Sequence, residues 1–149
     1  MSIMQTISND IIARQKAGDQ KTLAALRLLR NALNTKAKEA MIVELPDEDA
    51  MKVLQSEAKK RRDSIVAYQQ GNRPDLALNE QYELDLIAAY LPPALGAEQL
   101  KEIINQVVRQ QSLVPPYDFG RLMGAVMKEV GARADGQTVR QAVQEFIQT

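Results

Sequence analysis

The chain has 149 residues, of which 45% are hydrophobic and 26% are charged, a balance typical of a globular protein. It contains no Cys and no His, which excludes disulfides, zinc–thiolate sites, thiolate nucleophiles and the imidazole that most enzymes use as a general base. Nineteen basic and nineteen acidic side chains give a formal net charge of zero, so no overall field draws the chain to nucleic acid. Any RNA binding must therefore be local.

The sequence contains no stretch that approaches the roughly 20 consecutive apolar residues of a membrane-spanning helix. Its first residues, Met1–Met4, lack the charged and apolar regions of a secretory signal. We therefore expect a cytoplasmic protein that has no membrane partner.

Apolar residues recur at helical spacing along the whole chain, and no segment alternates with the period of two that a half-buried strand requires. The predicted fold is therefore all-α. Four helices are predicted in the first part: one that ends at Gly18, one capped by Asp19 that extends towards residue 44, one from Asp47 to Gly71, and one that starts at Pro74. The predicted apolar stripes of these four helices consist of Ile3, Ile7 and Ile11; Leu23, Leu26, Leu29, Leu33 and Ala37; Met51, Leu54, Ala58, Ile65 and Tyr68; and Leu76, Leu86, Ile87, Tyr90 and Leu91.

Pro92-Pro93 is the predicted boundary between two domains, because a double proline prevents a helix from continuing. An N-terminal helical domain would cover residues 1–93, and a smaller domain of three helices would cover residues 94–149. The three helices are marked by Leu100 to Val107, by a glycine-containing segment from about Asp118, and by Val139 to Ile147.

The glycine-containing helix is unusual because Gly120 and Gly124 lie inside a helical pattern, where each glycine costs about 1 kcal/mol relative to alanine. On a helical projection, Phe119, Leu122, Met123, Val126 and Val130 form a core stripe. Gly120, Gly124, Met127 and Gly131 fall on an adjacent ridge with almost no side chain, and Arg121 and Lys128 lie together just beyond it. Such a strip permits close approach of either another helix or a polyanionic backbone.

This segment, GRLMGAVMK (Gly120–Lys128), with the following GARADG (Gly131–Gly136) and a closing helix, resembles the C-terminal motif shared by the YqeY family and the tail of GatB, the tRNA-dependent amidotransferase subunit. Arg27–Arg30, Lys60–Ile65 and Tyr90–Pro92 are also placed as in YqeY proteins, so the resemblance covers nearly the whole chain. The GatB tail reaches the outer corner of a folded tRNA. The resemblance therefore implies that Arg121, Lys128 and Arg133 contact tRNA. It links the chain to glutamine-dependent carbon–nitrogen ligases through a tail and not through an active site.

Three further cations are candidates for RNA contacts. Arg140 adds a positive charge to the closing helix, while Lys60 and Arg62 belong to a run of four basic residues. Consecutive helical residues cannot share one face, and Arg61 falls beside the apolar stripe with Glu57 four residues before it. We therefore predict a half-buried Glu57–Arg61 pair and leave Lys60 and Arg62 without an evident partner. The alternative is that the run is only a solvated, salt-bridged helix face.

The acidic residues Glu44 and Asp47–Asp49 are better explained as favourable charges at a helix N-terminus than as a metal site. We expect no metal, no cofactor and no catalytic residue. The sequence therefore predicts a non-catalytic protein whose partner is tRNA or a tRNA-handling enzyme, with no DNA partner. Two alternatives remain open: a protein-interaction adaptor that binds no nucleic acid, and a subunit of an amidotransferase complex.

Overall fold

A computed structural model describes all of residues 1–149 and divides the chain into two compact units, Met1–Leu91 and Pro92–Thr149. The structure contains helices and no strand, which confirms the all-α prediction. None of the helices combines the length and the apolar character needed to cross a membrane. The N-terminal unit contains α1 (Ile3–Ala17), α2 (Gln20–Glu39), α3 (Asp47–Gln70) and α4 (Pro74–Ala88), and the C-terminal unit contains α5 (Ala97–Gln110), α6 (Phe119–Val130), a 3-10 turn (Gly131–Arg133) and α7 (Gly136–Gln148).

The N-terminal unit is built around the leucine stripe of α2. In this unit α1 packs on α2, α3 packs on α4, and α3 also contacts α1 and α2. Ten of the predicted stripe residues are buried, and Leu45 and Ala50 complete the cluster around the start of α3. The other eight are half-buried: Ile3, Met51, Ile65, Tyr68, Leu76, Leu86, Tyr90 and Leu91. The core consists of Ile7, Ile11, Leu23, Leu26, Leu29, Leu33, Ala37, Leu45, Ala50, Leu54, Ala58 and Ile87.

Polar side chains connect α4 and the residues just after it to α1 and α2. Buried Thr22 donates a hydrogen bond from its hydroxyl to Asp19 at 2.7 Å and contacts the hydroxyl of Tyr82 on α4. The hydrogen bonds from Thr22 hold the pKa of Asp19 below its usual value. Near the other end of α4, the Tyr90 hydroxyl donates to Asp10 at 2.5 Å, and burial together with this carboxylate raises the pKa of Tyr90.

The second helix is shorter than predicted, because it ends at Glu39 and not near residue 44. Met41 has a left-handed backbone with a φ of 59°, and its N–H donates to the carbonyl of Lys38. The N–H of Ile42 donates to the carbonyl of Ala37, which completes a Schellman motif. Glycine or asparagine usually occupies the left-handed position, so the sequence carried no clear signal for this helix end.

The C-terminal unit is a three-helix arrangement in which each helix contacts the other two. Asp118 caps α6 by accepting the N–H of Arg121, and Asp135 caps α7 by accepting the N–H of Thr138. Phe119, predicted as a core residue, is instead exposed at the first position of α6. The core consists of Leu100, Ile104, Val107, Leu122, Val126, Val130, Ala134, Val139 and Val143.

Candidate nucleic-acid interface

The glycine ridge of α6 faces open space. Gly120 and Gly124 are exposed, whereas Leu122 and Val126 are fully buried on the opposite side of the helix. Two residues predicted on the ridge differ: Met127 is half-buried against the core, and Gly131 lies just beyond α6, where its φ of 58° favours glycine. A Cβ atom built on Gly124 would meet no heavy atom within 4 Å, and one built on Gly120 would meet only the Asp118 carboxylate at 3.5 Å. The explanation by internal helix–helix packing is therefore wrong for Gly124, because no neighbouring helix requires the small side chain.

Two exposed cations border this ridge. Arg121 and Lys128 are both exposed, and they lie seven residues apart on α6, which is about 10 Å along the helix axis. Lys128 also lies in the last turn, where a positive charge is favourable beside the helix dipole. The structure thus brings Gly120, Gly124, Arg121 and Lys128 to one accessible face.

Arg133 has a structural role that the sequence did not reveal. Its side chain is half-buried, with Nη2 donating to the carbonyl of Glu129 at 2.9 Å and Nε donating to that of Val130 at 3.2 Å. These bonds satisfy carbonyls at the end of α6 that have no partner within the helix. A guanidinium has five N–H donors, so Arg133 can perform this capping and still present N–H groups outward.

Arg140 is exposed on α7. A groove of about 450 Å³ lies between α5 and α7. On the α7 side it is lined by Thr138, Gln141 and Glu145. Arg140 does not line that groove. Helical periodicity places it on the opposite edge of α7.

The structure corrects the prediction that Lys60 has no partner. Its Nζ lies 3.1 Å from a carboxylate oxygen of Glu57, although the Lys60 side chain remains 65% exposed. Arg62 is half-buried and also takes part in an interaction. Both residues lie on α3 in the N-terminal unit, whereas the other four candidates lie in the C-terminal unit.

Arg61 is the centre of a larger ion-pair cluster than the predicted pair with Glu57. That pair is present at 3.7 Å, and two carboxylates of α4 join it: Glu80 at 3.7 Å and Glu83 at 2.9 Å. All four side chains are less than 30% exposed. Sequence spacing could identify only Glu57, because Glu80 and Glu83 meet Arg61 through the packing of α4 on α3.

Comparison with known proteins adds the family context. A family model described as Yqey-like protein matches residues 4–147. A relative from the fungus Pyrenophora tritici-repentis, named altered inheritance of mitochondria protein 41, mitochondrial, is 22% identical over 148 residues. The aligned region covers 97% of this chain and 81% of the fungal protein.

Proposed function

The chain belongs to the YqeY family, and from that premise we propose that it is a non-catalytic protein that binds tRNA through the exposed face of α6. The observation that carries the proposal is the open glycine ridge beside two exposed cations. Gly124 costs helix stability, yet nothing in the structure occupies the space that its missing side chain leaves. A nucleic-acid backbone that approaches the ridge would bring its phosphates within reach of Arg121 and Lys128.

The proposed contact is with shape and backbone. Arg121 and Lys128 offer charge to phosphates, which positions a folded RNA without reading its base sequence. Arg133 and Arg140 are the additional candidates in the same unit, and Lys60 and Arg62 are secondary ones because ion pairs and burial on α3 already engage them. The resemblance to the GatB tail supports tRNA as the folded RNA. It also supports an association with a tRNA-dependent amidotransferase, in which this chain would supply no reacting group.

The test is a tRNA titration of the double variant Arg121→Ala/Lys128→Ala. We expect its affinity for bulk tRNA to fall by at least tenfold, while its melting temperature stays within about 2 °C, because exposed charges away from the core change stability by less than about 0.5 kcal/mol. The matched control is Lys101→Ala/Arg109→Ala, which removes one Lys and one Arg from exposed positions of α5 in the same unit.

Three results would contradict the proposal. Unchanged affinity of the α6 variant would remove this face from the site. An equal loss in the α5 control would show a nonspecific effect of charge. The absence of any tRNA binding by the unmodified protein would favour the adaptor function.

The proposal includes a cytoplasmic location. The fungal relative is named as a mitochondrial protein, so this part needs its own test. Cell fractionation followed by immunodetection should place the protein with cytosolic markers, and recovery with an organelle would contradict this part alone.

A further inference from the structure

A run of exposed apolar residues occupies the connection between α2 and α3. Met41 is 92% exposed and Val43 is 95% exposed, with Ile42 between them at 41%. Single exposed apolar residues are ordinary on protein surfaces, but three in succession are not, unless they serve a contact. We call Met41–Val43 the apolar tip.

The left-handed backbone conformation of Met41 is one that residues other than methionine adopt more readily. Met41 occupies the left-handed position of the Schellman motif that ends α2. At the ends of α1, α3 and α5 the corresponding left-handed positions hold Gly18, Asn72 and Ser112, which are all small or polar residues, and Gly and Asn accept this conformation best. The Met41 side chain gains almost no packing in return, because it is nearly fully exposed. Folding alone therefore does not explain a methionine at this position.

Carboxylates flank the apolar tip in the sequence. Residues 36–49 contain five acidic and two basic side chains, and one of the basic ones, Lys36, pairs with Glu39 at 3.4 Å. Two of the carboxylates are held in place by α1: Glu44 accepts hydrogen bonds from the side chains of Ser2 and Gln5, and Asp47 accepts the N–H of Ile3 at 2.9 Å. We call these flanking carboxylates the carboxylate rim; Arg30 also lines the concavity that Val43 and Glu44 share.

Two concavities border the tip. One, of about 520 Å³, lies beside α1 and is lined by Met4, Val43 and Glu44 among others. The other, of about 720 Å³, lies between α2 and α3; no tip residue lines it, and its lining includes the cations Lys36, Lys52 and Lys60. A helix laid across the tip could place apolar side chains into the first of these spaces, which Val43 lines.

We propose that the apolar tip docks a basic amphipathic helix of a partner protein. The apolar face of such a helix would contact Met41 and Val43, and its Lys or Arg residues would meet the carboxylate rim. Methionine suits this contact because its unbranched, polarizable side chain adapts to irregular apolar surfaces. The excess of carboxylates over cations in residues 36–49 disfavours anionic lipid and RNA as the ligand of this surface. The inference does not depend on tRNA binding by α6.

The test uses a defined probe, a labelled 18-residue peptide with leucine on one helical face and lysine on the other. We expect the double variant Met41→Gly/Val43→Ser to bind this peptide at least tenfold more weakly in fluorescence anisotropy. Its melting temperature should be unchanged or higher, because glycine is favoured at the left-handed position. The control variant Val66→Ser/Leu78→Ser, which removes two exposed apolar residues from α3 and α4, should bind normally.

Further measurements test the charge complementarity and the chemical class of the ligand. A peptide with glutamate in place of lysine should not bind, and Glu48→Gln/Asp49→Gln should weaken the lysine peptide several-fold. The inference is overturned if the tip variant and the control variant bind the peptide equally, or if the glutamate peptide binds as well as the lysine peptide. Tip-dependent binding to phosphatidylcholine vesicles that exceeds binding to the peptide would replace it with a membrane contact. The tip variant should bind tRNA normally.

Discussion

At the scale of single residues, Arg61 organises the contact between α3 and α4. One guanidinium faces three carboxylates within 4 Å, and the exposed Lys60 also pairs with one of them, so these carboxylates outnumber the two cations. The short approach of Arg61 Nε to Glu83 is not aligned as a hydrogen bond, and Glu80 Oε2 is buried without a hydrogen-bond partner. The cluster therefore depends on the charge of Arg61 more than on any single hydrogen bond.

Replacement of Arg61 by alanine should destabilise the protein far more than replacement of Lys60. Arg61→Ala leaves Glu57, Glu80 and Glu83 together in a partly buried site, and we expect a loss of about 2 kcal/mol, below the roughly 3–5 kcal/mol for a fully buried pair. Lys60→Ala removes an exposed partner and should cost less than about 0.5 kcal/mol. Urea denaturation midpoints of the two variants provide the comparison.

Arg61→Lys is the matched control for this prediction. Lysine retains the charge, but its single ammonium group cannot reach three carboxylates as a planar guanidinium does. Its stability should lie between those of the unmodified protein and Arg61→Ala. Equal midpoints for Arg61→Ala and Lys60→Ala would contradict the assigned importance of the cluster.

At the scale of helices, the sequence predicted what depends on periodicity and missed what depends on backbone conformation or tertiary packing. The α2 stripe from Leu23 to Ala37 was predictable, because burial recurs at helical spacing. The end of α2 was not, because Met41 adopts a conformation that methionine rarely takes. Glu80 and Glu83 were missed as partners of Arg61 because their proximity requires α4 to fold back on α3. Helical spacing places Gly120 and Gly124 on one face of α6, but only the structure distinguishes open space from a packed neighbour.

The open space at Gly124 leads to predictions for the stability of α6 and for tRNA binding when a larger side chain is introduced. Gly124→Ala should stabilise the protein by about 0.5–1 kcal/mol, because alanine restricts the unfolded chain and no atom obstructs the added methyl group. Gly124→Leu should also fold normally, yet it should weaken tRNA binding at least fivefold by holding the RNA backbone away from α6. Thermal melts and tRNA titrations on the same samples give both quantities.

Asn105→Leu provides the control, since it adds an exposed leucine to α5 in the same unit. We expect it to leave tRNA affinity unchanged. A lowered melting temperature for Gly124→Leu would mean that a neighbouring segment does pack on the ridge. Normal melting with normal tRNA affinity would mean that the ridge faces solvent in the complex as well.

At the scale of the whole molecule, charge is balanced within each unit as well as overall. Residues 1–91 carry thirteen basic and thirteen acidic side chains, and residues 92–149 carry six of each. Neither unit has the excess positive charge that steers many nucleic-acid-binding domains towards their ligand. Binding to tRNA must then come from a few local phosphate contacts, in keeping with a small accessible face on α6.

This balance predicts a shallow salt dependence. If Arg121, Lys128 and Arg140 each neutralise one phosphate, the logarithm of the association constant should fall with the logarithm of salt concentration at a slope of about −2 to −3. Between 50 and 200 mM KCl the affinity should then drop by about 20- to 60-fold. In Arg121→Ala/Lys128→Ala the slope should shrink to about −1, because a single contact remains. Titrations of the two proteins at 50, 100 and 200 mM KCl measure both slopes. A slope near −6 for the unmodified protein would require phosphate contacts beyond these three residues, and a slope near zero would show that an uncharged surface makes the contact.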